Sequence, residues 1–485
     1  MKSKILYLTI ALAILTITTC NLRFVFKLVS EGAKSPLYIN EVDRDLFTEE
    51  WTYGSGVLTP VGYRMLYLLG TKDRQTYSSF LSSNYKSSEI YVRSGNTNST
   101  LMSADAYLQG LFPPGTGPEL TPSQRSRAFP PTLRNFGGFD VATFGAAALP
   151  RRTQVIPVHT FDNQDKKYFF FNFDICTKAI GRFEKGHNED VIDNFLESFK
   201  NQYGTNLLKV LNLSDEDDFL DYDLVFNIMN TFIADYTEGK ILKRFTDNGI
   251  DLRAFNETAY QFMANDLMQV KNSMYDDEPF LPNATMSAFR DEIKMWFNNR
   301  VSNDKTGSGY TPYNAPKYVL FSVPDYTVAA MIAYLNRNKG VSSQNVTMAS
   351  SLTFELRLKD TSVVGSTLTD ADYDVYIIYN GSTLRSFSLT EFTGILDSAW
   401  DEEEVRKSCS NNLVEKYGYK NATITLGVLL GVAFVILIVV LTLCILDRKK
   451  ENDQHDPDYK PPVQTVPEHK TEVVEPQREE AKNDA

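Results

Sequence analysis

Apolar positions along the chain fall into short runs that stop at turn residues, helically spaced runs, and two long unbroken stretches. Phe24-Val25-Phe26-Lys27-Leu28-Val29 ends at Ser30-Glu31-Gly32, as a buried strand does when it enters a loop. Leu58-Thr59-Pro60 predicts a helix start, with Thr59 as cap and Pro60 in the first turn. Glu89 to Val92 predicts a second strand ahead of Arg93-Ser94-Gly95, and Leu101 to Leu111 a second helix. Strand, loop and helix in repeated order predict an α/β sheet whose site lies at the strand C-terminal ends. Residues 112–150, rich in Pro and Gly, predict a long loop, and the charged, helically periodic residues 187–300 a helical lobe. Strand signals return at Tyr318 to Val323, Leu352 to Leu358 and Tyr373 to Tyr379, the last ending in an Asn380-Gly381 turn. A helix is predicted over Tyr326 to Leu335. The pattern describes a central mixed sheet flanked by helices, with a core of about 21–160 and 300–410 and an inserted helical lobe of about 187–300.

The two long stretches place the chain in the secretory pathway. Residues 1–20 carry Lys2 and Lys4 ahead of an apolar run from Ile5 to Ile17, which is a signal-peptide pattern. Residues 424–446 contain no charge and are long enough for one membrane-spanning helix. Asp447-Arg448-Lys449-Lys450 follows at once, and basic residues mark the cytoplasmic end of a span. The expected topology is single-pass type I: an ectodomain over 21–423, a transmembrane helix over 424–446, and a proline-rich, disordered cytoplasmic tail over 447–485. The cell surface and a lysosome- or vacuole-like compartment are both compatible with it.

Composition narrows the functional classes. At 42% hydrophobic and 23% charged, the 485 residues suit a globular protein, and a net charge of -12 gives no footprint for nucleic acid. Outside the signal and the span, the cysteines are Cys176 and Cys409, which in an oxidising compartment most simply pair. Asn-x-Ser/Thr acceptors at Asn98, Asn212, Asn256, Asn283, Asn345 and Asn380 are candidate glycosylation sites, and Asn421 lies too near the span. No metal or cofactor motif is present, and the run Asp215-Glu216-Asp217-Asp218 reads as a solvated helix start. The chain has four histidines, His159, His187, His455 and His469, and the last two fall in the tail.

Several segments, taken in order, resemble the histidine acid phosphatases (branch 2 of the histidine phosphatase superfamily). They are Ser30-Glu31-Gly32-Ala33-Lys34-Ser35-Pro36 after the first strand, Gly56-Val57-Leu58-Thr59-Pro60-Val61-Gly62, and Val92-Arg93-Ser94. Thr100-Leu101-Met102-Ser103-Ala104, Leu111-Phe112-Pro113-Pro114 and Pro157-Val158-His159-Thr160 follow. Late in the chain come Phe321-Ser322-Val323-Pro324-Asp325-Tyr326-Thr327 and Phe354-Glu355-Leu356. Cys176 and Cys409, with Trp400 upstream of the second, also match the family's cysteine pattern. The resemblance covers about residues 22–410 and implies the two-lobed phosphatase fold.

It also implies a chemistry that this sequence departs from. In the family a histidine of the first motif attacks phosphorus, arginines hold the phosphate oxygens, and an Asp beside a second histidine protonates the leaving group. Here Glu31 stands at the nucleophile position, Ser30 and Lys34 at the two arginine positions, and Pro324 at the second histidine position. Arg93 and Asp325 remain, at a phosphate-holding and the proton-donor position. Lys34 with Arg93 faces Glu31 with Asp325, a poor balance for a dianion, and a lysine lacks the planar fork of arginine. No other histidine stands at a catalytic position. The expectation is a membrane-anchored family member without catalytic activity, in a binding or structural role and without a cofactor or metal. Two alternatives stand beside it: an acid phosphatase with residual or altered activity on phosphate monoesters, and a surface adhesion or coat protein. The sequence names no ligand or protein partner.

Overall fold

A computed structural model describes residues 21–36, 51, 53–130, 145–160, 189–240, 242–272, 274–275, 278–306, 316–359, 367–401 and 403–405. The segments expected to be a signal peptide (1–20), a membrane span (424–446) and a tail (447–485), and His187, Cys176 and Cys409, lie outside the described residues. Among the described residues, no helix is long and apolar enough to cross a membrane.

The elements run β1 (Leu22–Ser30), α1 (Pro60–Thr76), β2 (Ile90–Ser94), α2 (Asn98–Leu111), α3 (Glu189–Leu211), α4 (Tyr222–Thr237), α5 (Leu252–Asn272) and α6 (Phe280–Thr306). They continue as β3 (Tyr318–Val323), α7 (Asp325–Lys339), β4 (Ser351–Leu358), β5 (Tyr373–Tyr379), β6 (Ser382–Ser388) and α8 (Leu389–Asp397). The sheet order is β2-β3-β1-β4-β5-β6. β2, β3 and β1 are parallel, and β4 to β6 are antiparallel, so the sheet is mixed as the sequence predicts.

Alternation along β1 sends its side chains into two different cores. Phe24, Phe26 and Leu28 pack with Phe289 and Phe297 of α6, Ile332 of α7 and Phe392 of α8. Val25 and Val29 pack with Leu66 of α1 and Tyr107 of α2 on the other face. Each such side chain contributes roughly 1.5–3 kcal/mol of transfer free energy. Lys27 points to the same face as Val25 and is only 3% exposed, which a lone ammonium would not tolerate. It meets Asp73 of α1 at 2.5 Å, and Tyr107 also donates to Asp73. Tyr107 and Tyr318 share a hydroxyl contact of 2.6 Å, and Tyr77 donates to Glu355 at 2.7 Å. α1 and α2 lie so close that a Cβ on Gly110 would sit 2.0 Å from the Tyr67 carbonyl oxygen.

The predicted caps and turns form. Thr59 accepts from the Gly62 amide with Pro60 in the first turn of α1. Asn380 and Gly381 take φ of 49° and 88°, as the two-residue hairpin between β5 and β6 requires. β6 itself is an exposed polar edge strand and has no apolar run to announce it.

The expected helical lobe divides. α3, α4 and α5, with the short helix Lys243–Asp247 between the last two, build an aromatic core of their own around Phe199, Phe232, Phe245 and Phe255. α6 instead turns Phe289, Ile293 and Phe297 onto the sheet and belongs to the sheet's flanking layer. The excursion after α2 pairs residues 115–120 with 146–152 through Gly115–Arg151, Gly117–Arg152 and Leu120–Ala146 hydrogen bonds. Arg151 and Arg152 both hold left-handed φ, 55° and 52°, at about 1–2 kcal/mol per residue.

Candidate functional site

Parallel pairing brings three C-terminal strand ends together. Ser30 of β1 is in register with Val323 of β3, and Ser94 of β2 with Ser322. The residues just beyond these positions are Glu31, the Gly95 turn into α2, and Pro324-Asp325. The sequence places the site at this edge, and the topology brings Glu31, Lys34 and Asp325 to it, with Arg93 on β2 one residue before Ser94.

Glu31 is 4% exposed, and its carboxylate is fully engaged. Oε1 accepts from the Lys34 ammonium, and Oε2 accepts from Ser99 Oγ at 2.6 Å. Ser99 lies in the first turn of α2, whose Thr97 cap sits just before it. The carboxylate therefore occupies an anion position: a helix N-terminus, a hydroxyl donor and an ammonium converge on it. The backbone of the loop is fixed as well. The Glu31 amide donates to Val323 O at 3.2 Å, the Ala349 amide to Glu31 O at 2.9 Å, and the Gly32 amide to Ser103 Oγ at 3.2 Å.

Lys34 lies between two carboxylates. Burial pulls its ammonium below the ordinary lysine range, and the Asp325 carboxylate opposes that shift. Asp325 opens α7, with Pro324 as a cap residue that offers no side-chain hydrogen bond. Its Oδ1 accepts from the Tyr326 amide at 2.8 Å.

Arg93 is held elsewhere. Its guanidinium donates to Glu292 Oε1 at 2.6 Å and lies 5.6 Å from the Tyr91 ring centre and 6.0 Å from that of Phe321. Glu292 comes from α6 and is 9% exposed. Lys34 is thus matched with Glu31 and Asp325, and Arg93 with Glu292. His159 pairs with β2 as a short extra strand, its amide donating to Val92 O at 3.0 Å and its carbonyl accepting from Ser94 at 2.8 Å. Its exposed ring stacks on Tyr91 at 4.9 Å.

Ser99 and Glu292 were not singled out by the sequence pattern. Glu292 shares the buried face of α6 with Phe289, Ile293 and Trp296, so an acid in register with apolar residues was the available signal. Ser99 follows the Thr97 cap, the place where α2 presents its free amides.

The candidate glycosylation residues divide by exposure. Asn98, Asn212, Asn345 and Asn380 are exposed and Asn256 is half-buried. Asn283 is 8% exposed inside α6, where no glycan fits without moving the helix.

Residues 12–380 match the histidine phosphatase superfamily (branch 2). The lysosomal acid phosphatase of Homo sapiens is 30% identical over 222 residues, which is 45% of this chain and 44% of that protein. The prostatic acid phosphatase of Homo sapiens is 38% identical over 93 residues, 19% of this chain and 24% of that protein. The chain thus aligns with less than half the length of these relatives. Among solved structures, the phytase of Citrobacter braakii covers 80% of this chain and 99% of its own at 14% identity and a TM-score of 0.49. From the matched span of 12–380, this chain belongs to the histidine phosphatase superfamily, branch 2.

Proposed function

We propose that this chain is a catalytically silent member of its family, whose phosphate site is filled from within by its own carboxylate. The observation that carries this reading is the Glu31 side chain, buried at the nucleophile position and held by Lys34 and Ser99. A glutamate there can neither form phosphohistidine nor let a phosphate dianion approach. Two like charges 4 Å apart repel by about 4 kcal/mol at an effective dielectric near 20. Arg93, which could still offset that repulsion, has its guanidinium on Glu292. Phosphoryl transfer depends on positioning and charge stabilisation, and the resident carboxylates counter both.

The role left to such a site is binding or structural. The sequence supports display of the ectodomain on the lumenal or outer side of a secretory-pathway membrane, anchored by residues 424–446. Lysosomal acid phosphatases among the relatives favour a lysosome-like compartment for that display.

The test is hydrolysis of a generic aryl phosphate by the purified protein between pH 4 and 6. Turnover no greater than that of a Glu31→Ala variant is expected. Turnover well above that variant would overturn the proposal, and a phosphoryl adduct trapped on Glu31 would replace it with the altered-phosphatase reading.

A further inference from the structure

The arm formed by residues 113–127 and 145–153 stands apart from the rest of the molecule in charge. Its described residues carry four arginines, Arg125, Arg127, Arg151 and Arg152, against one acid, Glu119, in a chain of net charge -12. Glu119 is already paired with Arg152 at 3.2 Å. Arg125, Arg127 and Arg151 are exposed, and among the described residues no acid pairs with any of the three.

The backbone keeps these side chains on display. Arg151 and Arg152 are consecutive non-glycine residues in the left-handed region, a conformation that persists only where its surroundings enforce it. The Gly115 amide donates to Arg151 O at 2.8 Å, the Gly117 amide to Arg152 O at 2.7 Å, and Arg152 Nε to Gly117 O at 3.1 Å. A Cβ on Gly117 would lie 2.5 Å from the Arg152 and Thr153 carbonyl oxygens, so only glycine fits against the turn. Arg125 and Arg127 follow the other end of the arm, past the Leu120–Ala146 hydrogen bond. Residues 118–121 and the single helical turn Pro122–Arg125 lead from Gly117, the partner of the Arg151–Arg152 turn, to the Arg125/Arg127 pair.

We propose that this arginine arm is a docking surface for a linear sulfated polysaccharide. Guanidinium forks suit sulfate as they suit carboxylate and phosphate, and their placement at both ends of an arm suits a ligand with repeated charge along one line. A thread-like polyanion touches the arm alone. An anionic bilayer or a nucleic-acid duplex presents a broad negative surface, which would also face the acidic remainder of the chain. The described arm offers only Leu149 as a well-exposed large apolar side chain, at 40%, and no exposed aromatic ring to enter a bilayer.

The experiment uses the full-length chain in a neutral detergent and heparin as probe. The expected result is binding at low salt that weakens steeply as salt rises. The pair Arg125→Ser and Arg127→Ser, and separately Arg151→Ser, should each weaken binding about tenfold and reduce the salt slope by about one or two. Gly117→Ala removes no charge and should also weaken binding, by moving the Arg151–Arg152 turn. The Arg125/Arg127 pair is exposed, so an unchanged melting temperature there separates lost binding from lost folding. Absence of heparin binding by the wild type overturns the proposal. So does unchanged affinity in the Arg125/Arg127 variant, or stronger binding to phosphatidylserine vesicles or duplex DNA than to heparin.

Discussion

Each charge in the site is held by a partner whose removal has a distinct consequence. Replacing Glu31 by Gln keeps its size and its acceptor for Ser99 but removes the resident anion. Inorganic phosphate or tungstate affinity should rise at least tenfold, since relief of even a third of a roughly 4 kcal/mol repulsion is worth that much. Adding Glu292→Gln frees the Arg93 guanidinium, and the double variant should bind more tightly than the single one in titration calorimetry. No gain in either variant would mean that anions do not enter here. Lys34→Met has the opposite character: it leaves a buried carboxylate with Ser99 alone. The Lys34 side chain is 26% exposed, so the loss should be about 1–3 kcal/mol rather than the full cost of a buried ion, read as a lower urea midpoint. Much of this was legible in the residues: the substitutions at Glu31, Lys34 and Pro324 are visible once the motif segments are in order. The tie between Arg93 and Glu292 was not, because 199 residues separate the partners and only the packing of α6 on the sheet joins them.

Strands and helices announced themselves in proportion to how much apolar surface they bury. β1 and β3 are buried almost throughout and read as plain apolar runs. β6 is mostly exposed and reads as loop. α6 carries charged residues at helical spacing, like the lobe helices before it, and only contact with the sheet reveals its layer. The polar network on the α1–α2 face was likewise hidden, as its tyrosines and Asp73 come from three different segments. Burial first, then nearby carboxylates, pushes the Tyr77 and Tyr107 hydroxyls well above the ordinary tyrosine range, and burial with Asp73 does the same to Tyr318. A folded-state pKa above the unfolded value of about 10 stabilises the protein fully below pH 10. That stability is lost as pH rises past 10, because the unfolded chain releases these protons first. The urea midpoint should therefore fall steeply above pH 10, and Tyr107→Phe should reduce that fall. Tyr107→Phe also costs about 1–2 kcal/mol at neutral pH through the bond lost to Asp73. A midpoint flat from pH 9 to pH 11 would show that the network does not hold its protons. Gly110→Ala probes the neighbouring seam: its Cβ would meet the Tyr67 carbonyl, and helix separation should cost about 1–3 kcal/mol.

At the scale of the whole molecule, the lobe of α3, α4 and α5 has its own core, so its attachment to the sheet decides whether the two melt together. α5 packs directly against α7 and α6 of the sheet's flanking layer, and two further contacts reach the segment before α1 and its first turn. Trp51 packs against the lobe core with the Lys240 ammonium 3.5 Å from its ring centre, and Lys240 pairs with the buried Asp235 at 2.7 Å. Glu238 at the end of α4 accepts from the Val61 amide at 3.2 Å, so a lobe carboxylate meets the N-terminus of α1. α1 also holds the Glu31 loop, since the Thr59 amide donates to Ala33 O at 3.0 Å. The lobe therefore braces the same turn that positions Glu31 and Lys34. Trp51→Ala removes the cation–π contact, worth about 0.5–2 kcal/mol, and opens the lobe surface beneath the ring. Calorimetry should then show the lobe melting first, its transition lowered by about 2–4 °C for each kcal/mol lost, while the sheet transition moves less. Glu238→Gln should shift both transitions by a smaller amount. If Trp51→Ala lowers a single, undivided transition, the lobe and the sheet form one cooperative unit, held together by the packing of α5 on α6 and α7.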